Sequence, residues 1–131
     1  MWSLWQDLYR DSSAAAVFER LTRLLEDYRR RLPTPCGELT QQDAYLITYP
    51  DQVRGPIGAP LKVLHDFCCR HIGGVVSGIH LLPFYPYSSD DGFSVIDYRS
   101  VKSDLGDWED VDRFARTFRT MFDGVFNHIS K

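Results

Sequence analysis

Gly78-Ile79-His80-Leu81-Leu82-Pro83-Phe84 decides the fold. The run is short, apolar and closed by a proline, which reads as a buried strand. Just upstream, Leu61, Leu64, Phe67 and Cys68 recur at helical spacing, and Gly73-Gly74 ends that helix. Further upstream, Ala44-Tyr45-Leu46-Ile47-Thr48-Tyr49 is another β-rich run, stopped by Pro50. Gly55, Pro56, Gly58 and Pro60 mark the loop between them. Downstream, a long loop runs from Pro83 to about Gly106. Trp108, Val111, Phe114, Ala115 and Phe118 then predict a helix, and Thr120 to Phe126 a third strand. Strands alternating with helices imply a parallel sheet with crossover helices. That pattern fits the first part of a (β/α)₈ barrel and also a doubly wound sheet.

The N-terminal portion differs. Val17, Phe18, Leu21, Leu24, Leu25 and Tyr28 are spaced as one face of a helix, with Ser12 or Ser13 as its N-cap. Trp2, Leu4, Trp5, Leu8 and Tyr9 suggest a shorter helical piece before it. Residues 1–42 therefore read as a helical extension (1–32) and linker (33–42), and residues 43–131 as a separate α/β portion. The chain stops soon after the third strand. Three parallel strands leave two open edges, so the expectation is a truncated α/β domain.

Composition narrows the function classes. The chain of 131 residues is 44% hydrophobic, 25% charged and 14% aromatic, with a formal net charge of −3. Nothing forms a basic footprint for nucleic acid. Arg29-Arg30-Arg31 falls at a helix end, where cations complement the dipole. No apolar run reaches the length of a membrane span, and Met1–Arg10 lacks the pattern of a signal peptide. Three cysteines, two of them adjacent, do not resemble a disulfide framework, so a cytoplasmic location is expected.

Three clusters could carry chemistry. The loop after the second strand, Pro83 to Tyr98, places Asp90 and Asp91 among aromatic residues at the C-terminal end of a parallel strand. Barrel active sites are built at that end. A carboxylate accepts hydrogen bonds from vicinal sugar hydroxyls while an aromatic ring packs on C–H groups, although Asp90-Asp91-Gly92 also suits a plain turn. The second cluster is Asp123-Gly124-Val125-Phe126-Asn127-His128, where strand alternation would put Asp123, Val125 and Asn127 on one side. A simple strand end with a hydrogen-bonded histidine is the alternative. The third is His65, Cys68, Cys69 and His71, which meets no standard zinc spacing. Glycine-rich nucleotide-binding motifs are absent.

Taken together, residues 80–98 and 123–128 resemble the sucrose-phosphorylase-type branch of glycoside hydrolase family 13, the α-amylase superfamily. Leu46-Ile47-Thr48-Tyr49 is similar to the first barrel strand of that group, and Leu105-Gly106-Asp107-Trp108-Glu109-Asp110 to the start of its second barrel helix. Asp123 to His128 is similar to the superfamily's first signature region, and the helical extension resembles that of glucosylglycerate phosphorylases.

The resemblance implies a retaining glycoside phosphorylase. A barrel aspartate attacks the anomeric carbon, a glutamate protonates the leaving group, and inorganic phosphate, the co-substrate, releases α-glucose 1-phosphate. Such chemistry needs two carboxyls roughly 5–5.5 Å apart. By carry-over, Asp90 grips the glucosyl hydroxyls, Phe93 packs beside the sugar and His128 hydrogen-bonds the same unit. Asp123 and Asn127 shape the third strand's end. The implied partners are a small α-glucoside and phosphate, with no cofactor and no metal. The family's nucleophile, acid/base and third carboxylate lie on later strands, so these 131 residues alone are expected to be inactive. A sugar-binding fragment derived from the barrel, or another α-amylase-family hydrolase, are the alternatives. The acceptor is undecided among fructose, fructose phosphate and glycerate.

Overall fold

The computed structural model describes residues 13–32 and 38–128. The suggested N-terminal helical piece, Ser12 as a cap and most of the 33–42 linker lie outside them. The chain divides into two compact units, residues 1–38 and 39–131.

In the first unit, α1 spans Ser13–Arg31. Its last turn carries Arg29, Arg30 and Arg31, with Asp27 pairing to Arg30 and Arg31 at 3.6 and 2.6 Å. Leu24, Leu25 and Tyr28 on its apolar side are exposed.

The second unit holds β1 (Tyr45–Thr48), α2 (Pro60–His71), β2 (Gly78–Leu81), a single 3₁₀ turn (Asp90–Gly92), α3 (Trp108–Thr117) and β3 (Arg119–Phe122). The sheet has the order β1-β2-β3 and both pairings are parallel. Leu46, Ile79 and Thr120 are register partners, as are Ile47, His80 and Met121. This is the parallel three-stranded α/β arrangement of the N-terminal part of a (β/α)₈ barrel.

Local chemistry accounts for the helix boundaries. Pro60 sits in the first turn of α2, where its missing N–H costs nothing. Leu61 N–H donates to Leu105 O at 3.0 Å, tying that helix start to the end of the long loop. At α3, Asp107 is the N-cap of a capping box: it accepts from Asp110 N–H at 3.1 Å, and the Asp110 carboxylate accepts from Asp107 N–H at 3.4 Å. Gly106 precedes the box at φ +140°, and a Cβ there would fall 2.5 Å from Asp110 Oδ2. Only glycine satisfies both constraints.

The core lies between the sheet and its two crossover helices. Leu61, Cys68, Ile79, Leu81, Phe84 and Phe114 are fully buried there, with Leu64 and Val111 packed beside them. Phe67, read from spacing as part of the same α2 face, is instead exposed and packs on the His71 ring.

The strands are shorter than the sequence pattern suggests. β2 stops at Leu81, because Leu82 N–H still reaches Thr48 O at 3.0 Å but Pro83 has no N–H to continue the ladder. β3 stops at Phe122, the residue paired with Leu81. The expected strand over 120–126 is thereby corrected: residues 123–126 have lost their ladder partner and run irregularly. No described helix is long and apolar enough to cross a membrane.

Candidate functional site

The long loop after β2 folds back as a small hairpin. Tyr87 and Val95 form an antiparallel bridge, Ser88 N–H donates to Ser94 O at 3.0 Å, and Ile96 N–H to Pro86 O at 2.8 Å. The Asp90–Gly92 turn is its tip. Asp90 and Asp91 both adopt left-handed backbone, at φ 59° and 47°. Aspartate tolerates that region better than most residues, and such conformations concentrate at functional sites. Gly92 follows at φ +105°, where a Cβ would press on Pro83 O at 3.1 Å. The tip is thus seated against the end of β2.

The structure chains three of the sequence-selected residues together. His128 Nε2 donates to Phe93 O at 2.9 Å, and Phe93 N–H donates to Asp90 O at 2.8 Å. Asp90 and His128 are exposed and Phe93 is half-buried. Among the described residues none bonds the Asp90 carboxylate, which leaves its oxygens available as acceptors. These links run through the backbone of Phe93 and Asp90 and tie the hairpin tip to the segment that follows β3.

The segment that follows β3 is pinned at two points. Asp123 Oδ2 lies 2.9 Å from His80 Nε2, both side chains largely buried. The Tyr98 hydroxyl donates to Val125 O and accepts from Val125 N–H, each at 2.9 Å. Tyr98 belongs to an aromatic cluster with Tyr85 (4.9 Å between ring centroids) and Phe126 (5.8 Å), and Phe84 packs on Tyr85, Trp108 and Phe122. Burial pushes the Tyr85 phenol up, so it stays neutral. Next to Tyr98, the Ser100 hydroxyl and Arg99 N–H hold the Asp97 carboxyl below its usual range.

Asn127 is not brought into this set. It was expected to continue the Asp123 side of a strand, but the strand ends at Phe122. Asn127 is exposed, and no described residue bonds its side chain. The sequence reading missed the roles of His80 and Tyr98. Strand alternation carried a signal for the first, since His80 and Met121 are register partners and Asp123 is the next position on that side.

The His65–His71 cluster comes apart. Cys69 Sγ lies 3.4 Å from His65 Nε2 on the surface, whereas Cys68 is buried in the core and His71 stacks with Phe67. Among the described residues no three His, Cys, Asp or Glu side chains gather as metal ligands would.

Comparison with known proteins sets this geometry in context. No family model matches the chain. It is 45% identical over 130 residues to a glucosylglycerate phosphorylase of Spirochaeta thermophila, a match covering 94% of this chain and 22% of that enzyme. It is 44% identical over 86 residues to a sucrose phosphorylase of Streptococcus mutans, covering 66% of this chain and 17% of that one. Among solved structures, sucrose 6F-phosphate phosphorylase from Thermoanaerobacter thermosaccharolyticum superposes with a TM-score of 0.58 at 33% identity, over 66% of this chain and 17% of that one. The chain spans about a fifth of the length of these relatives. The loop motifs, the parallel sheet and these identities agree: the chain belongs to the sucrose phosphorylase and glucosylglycerate phosphorylase branch of glycoside hydrolase family 13.

Proposed function

We propose that these residues form the glucosyl-binding end of a retaining α-glucoside phosphorylase, with glucosylglycerate as the favoured substrate. The breadth of the match carries the reading. The glucosylglycerate phosphorylase similarity includes most of the first 42 residues, while the sucrose phosphorylase similarity covers only two-thirds of the chain.

In this reading Asp90 accepts hydrogen bonds from two vicinal glucosyl hydroxyls. Phe93 packs on the sugar's C–H face, and His128 bonds a further hydroxyl while its ring is held on Phe93 O. Asp123, held by His80, supports the segment that follows β3, and Asn127 borders it. Hydroxyl contacts of this kind strengthen as oxocarbenium character develops at the anomeric carbon. Phosphate is the co-substrate, α-glucose 1-phosphate the product, and no metal or other cofactor takes part. A cytoplasmic setting suits the two cysteines that stand free in the second unit.

The attacking and proton-donating carboxylates belong to other parts of the family's barrel. The 131-residue chain is therefore expected to bind without turnover. Incubation with glucosylglycerate or sucrose and phosphate should yield no glucose 1-phosphate. Methyl α-glucoside should shift the amide signals of Phe93 and His128 in a ¹H–¹⁵N spectrum, and Asp90→Asn should abolish those shifts. Glucose 1-phosphate release by this chain, or shifts indifferent to Asp90→Asn, would overturn the reading.

A further inference from the structure

We propose that a hollow beside the Asp90–Gly92 turn, between the loops that follow β1 and β2, is a second site that takes a small neutral polyol. The choice of ligand class rests on the sugar-handling reading above, but the site is made of other residues.

The turn divides its two carboxylates. Asp91 lines the hollow and Asp90 does not. The cavity holds about 180 Å³ and adjoins a second of about 290 Å³, with Tyr49, Asp51, Tyr87 and Asp91 lining both. The first of these is small against the roughly 300–1,000 Å³ of drug-sized sites, and it suits a ligand of glycerol's scale. Two phenols and two carboxylates sharing one concavity are the combination that recognises vicinal hydroxyls: carboxylates accept from O–H groups and rings cover C–H groups.

The state of these groups supports a ligand role. Neither phenol hydroxyl is hydrogen-bonded to another described residue, nor is the Asp91 carboxylate. Asp91 holds left-handed backbone at φ 47°. The cations at the rim are already engaged. Arg54 pairs with Asp51 at 2.6 Å, and Lys102 pairs with Asp104 and lies over the Tyr87 ring, 5.5 Å from its centroid. Lys102 is held protonated by the Asp104 carboxylate.

This charge balance selects among ligand classes. Three carboxylates face two cations, so a free anion gains little there. Asp51 and Asp104 are each tied to a cation, and the described residues hold no metal-type cluster, so a divalent ion is not favoured. A neutral polyol can accept from the cationic N–H groups and donate to Asp91 without disturbing either pair. Because Asp90 and Asp91 are successive residues of one turn, an occupied hollow also steadies the backbone that carries Asp90.

The test is a ¹H–¹⁵N titration of the 131-residue chain with glycerol. Saturable shifts are expected at Tyr49, Asp51, Tyr87 and Asp91. Asp91→Asn should weaken the apparent affinity about tenfold, the loss of one hydrogen bond to a charged group. A folded spectrum with no shifts in the hollow, or shifts indifferent to Asp91→Asn, would overturn the proposal. Methyl α-glucoside separates the two readings. If it shifts Phe93 and His128 while glycerol leaves the hollow silent, the glucosyl subsite stands and the polyol site falls. The reverse pattern keeps the hollow and removes the subsite.

Discussion

The two faces of the sheet are built from the same twelve strand residues and have opposite fates. On one face Ile79 and Leu81 are fully buried against Leu61, Leu64 and Phe114 of the crossover helices. On the other, the register row Ile47-His80-Met121 leaves Ile47 62% and Met121 51% exposed. The first face is covered by helices a short distance along the chain, so each βα step buries its own apolar surface. On the second face His80 is shielded by its Asp123 pair, while Ile47 and Met121 stay open. In a (β/α)₈ barrel that inward face is filled by layers of side chains from alternate strands all round the ring, a contribution no neighbouring segment can make. The stability of this portion should therefore reside on one side of the sheet.

The largest effect should come from the covered face. Phe114→Ala removes a fully buried ring, at a cost of about 3–5 kcal/mol. The variant should lose the cooperative urea transition of the wild-type chain by circular dichroism. A near-unchanged midpoint would mean that the helix-side core is not what holds this portion together.

A smaller effect should appear with pH. Burial pushes the Cys68 thiol up from the ordinary 9.0 to about 11. The folded state thus holds this proton over a range in which the unfolded chain has released it. Stability from this residue is fully present below pH 9 and is lost as pH rises from about 9 to about 11. Urea midpoints measured across that range should fall in the wild type, and the fall should be shallower in Cys68→Ala, which has no thiol to titrate. Equal slopes would show that Cys68 is not sealed in the core.

The smallest effect is expected on the bare face. Ile47→Ser and Met121→Ser should each change stability by no more than about 0.5 kcal/mol, as exposed substitutions usually do. A larger loss in either would mean that this face is covered in solution, and the comparison of the two faces would have to be redrawn.

Much of the fold was legible because its signals are local. The i, i+3, i+4 spacing in α2 and α3 and the prolines closing the first two strands all act within a few residues of where they are read. The errors arose where local pattern was asked to settle a distant matter. Residues 123–126 carry an acceptable strand pattern, yet β3 ends with its pairing to Leu81, and the β2 ladder is closed by Pro83 some forty positions earlier. Phe67 matched the helix face in spacing, but its exposure depends on what lies opposite it.

The candidate site divides in the same way. Asp90, Phe93 and His128 stood out by residue type and motif, and the hairpin over residues 86–96 was invisible beforehand. The sequence alone determined the order of elements, the acidic and aromatic character of the loop after β2 and the family resemblance, because propensity and composition are properties of neighbouring residues. Only the tertiary structure decided that His128 reaches Phe93 across 35 positions, that His80 holds Asp123 across 43, and that Asp90 and Asp91 part company at the turn. Contacts of that span depend on the register of packed strands and on loop closure, and neither is written in any one stretch of the chain.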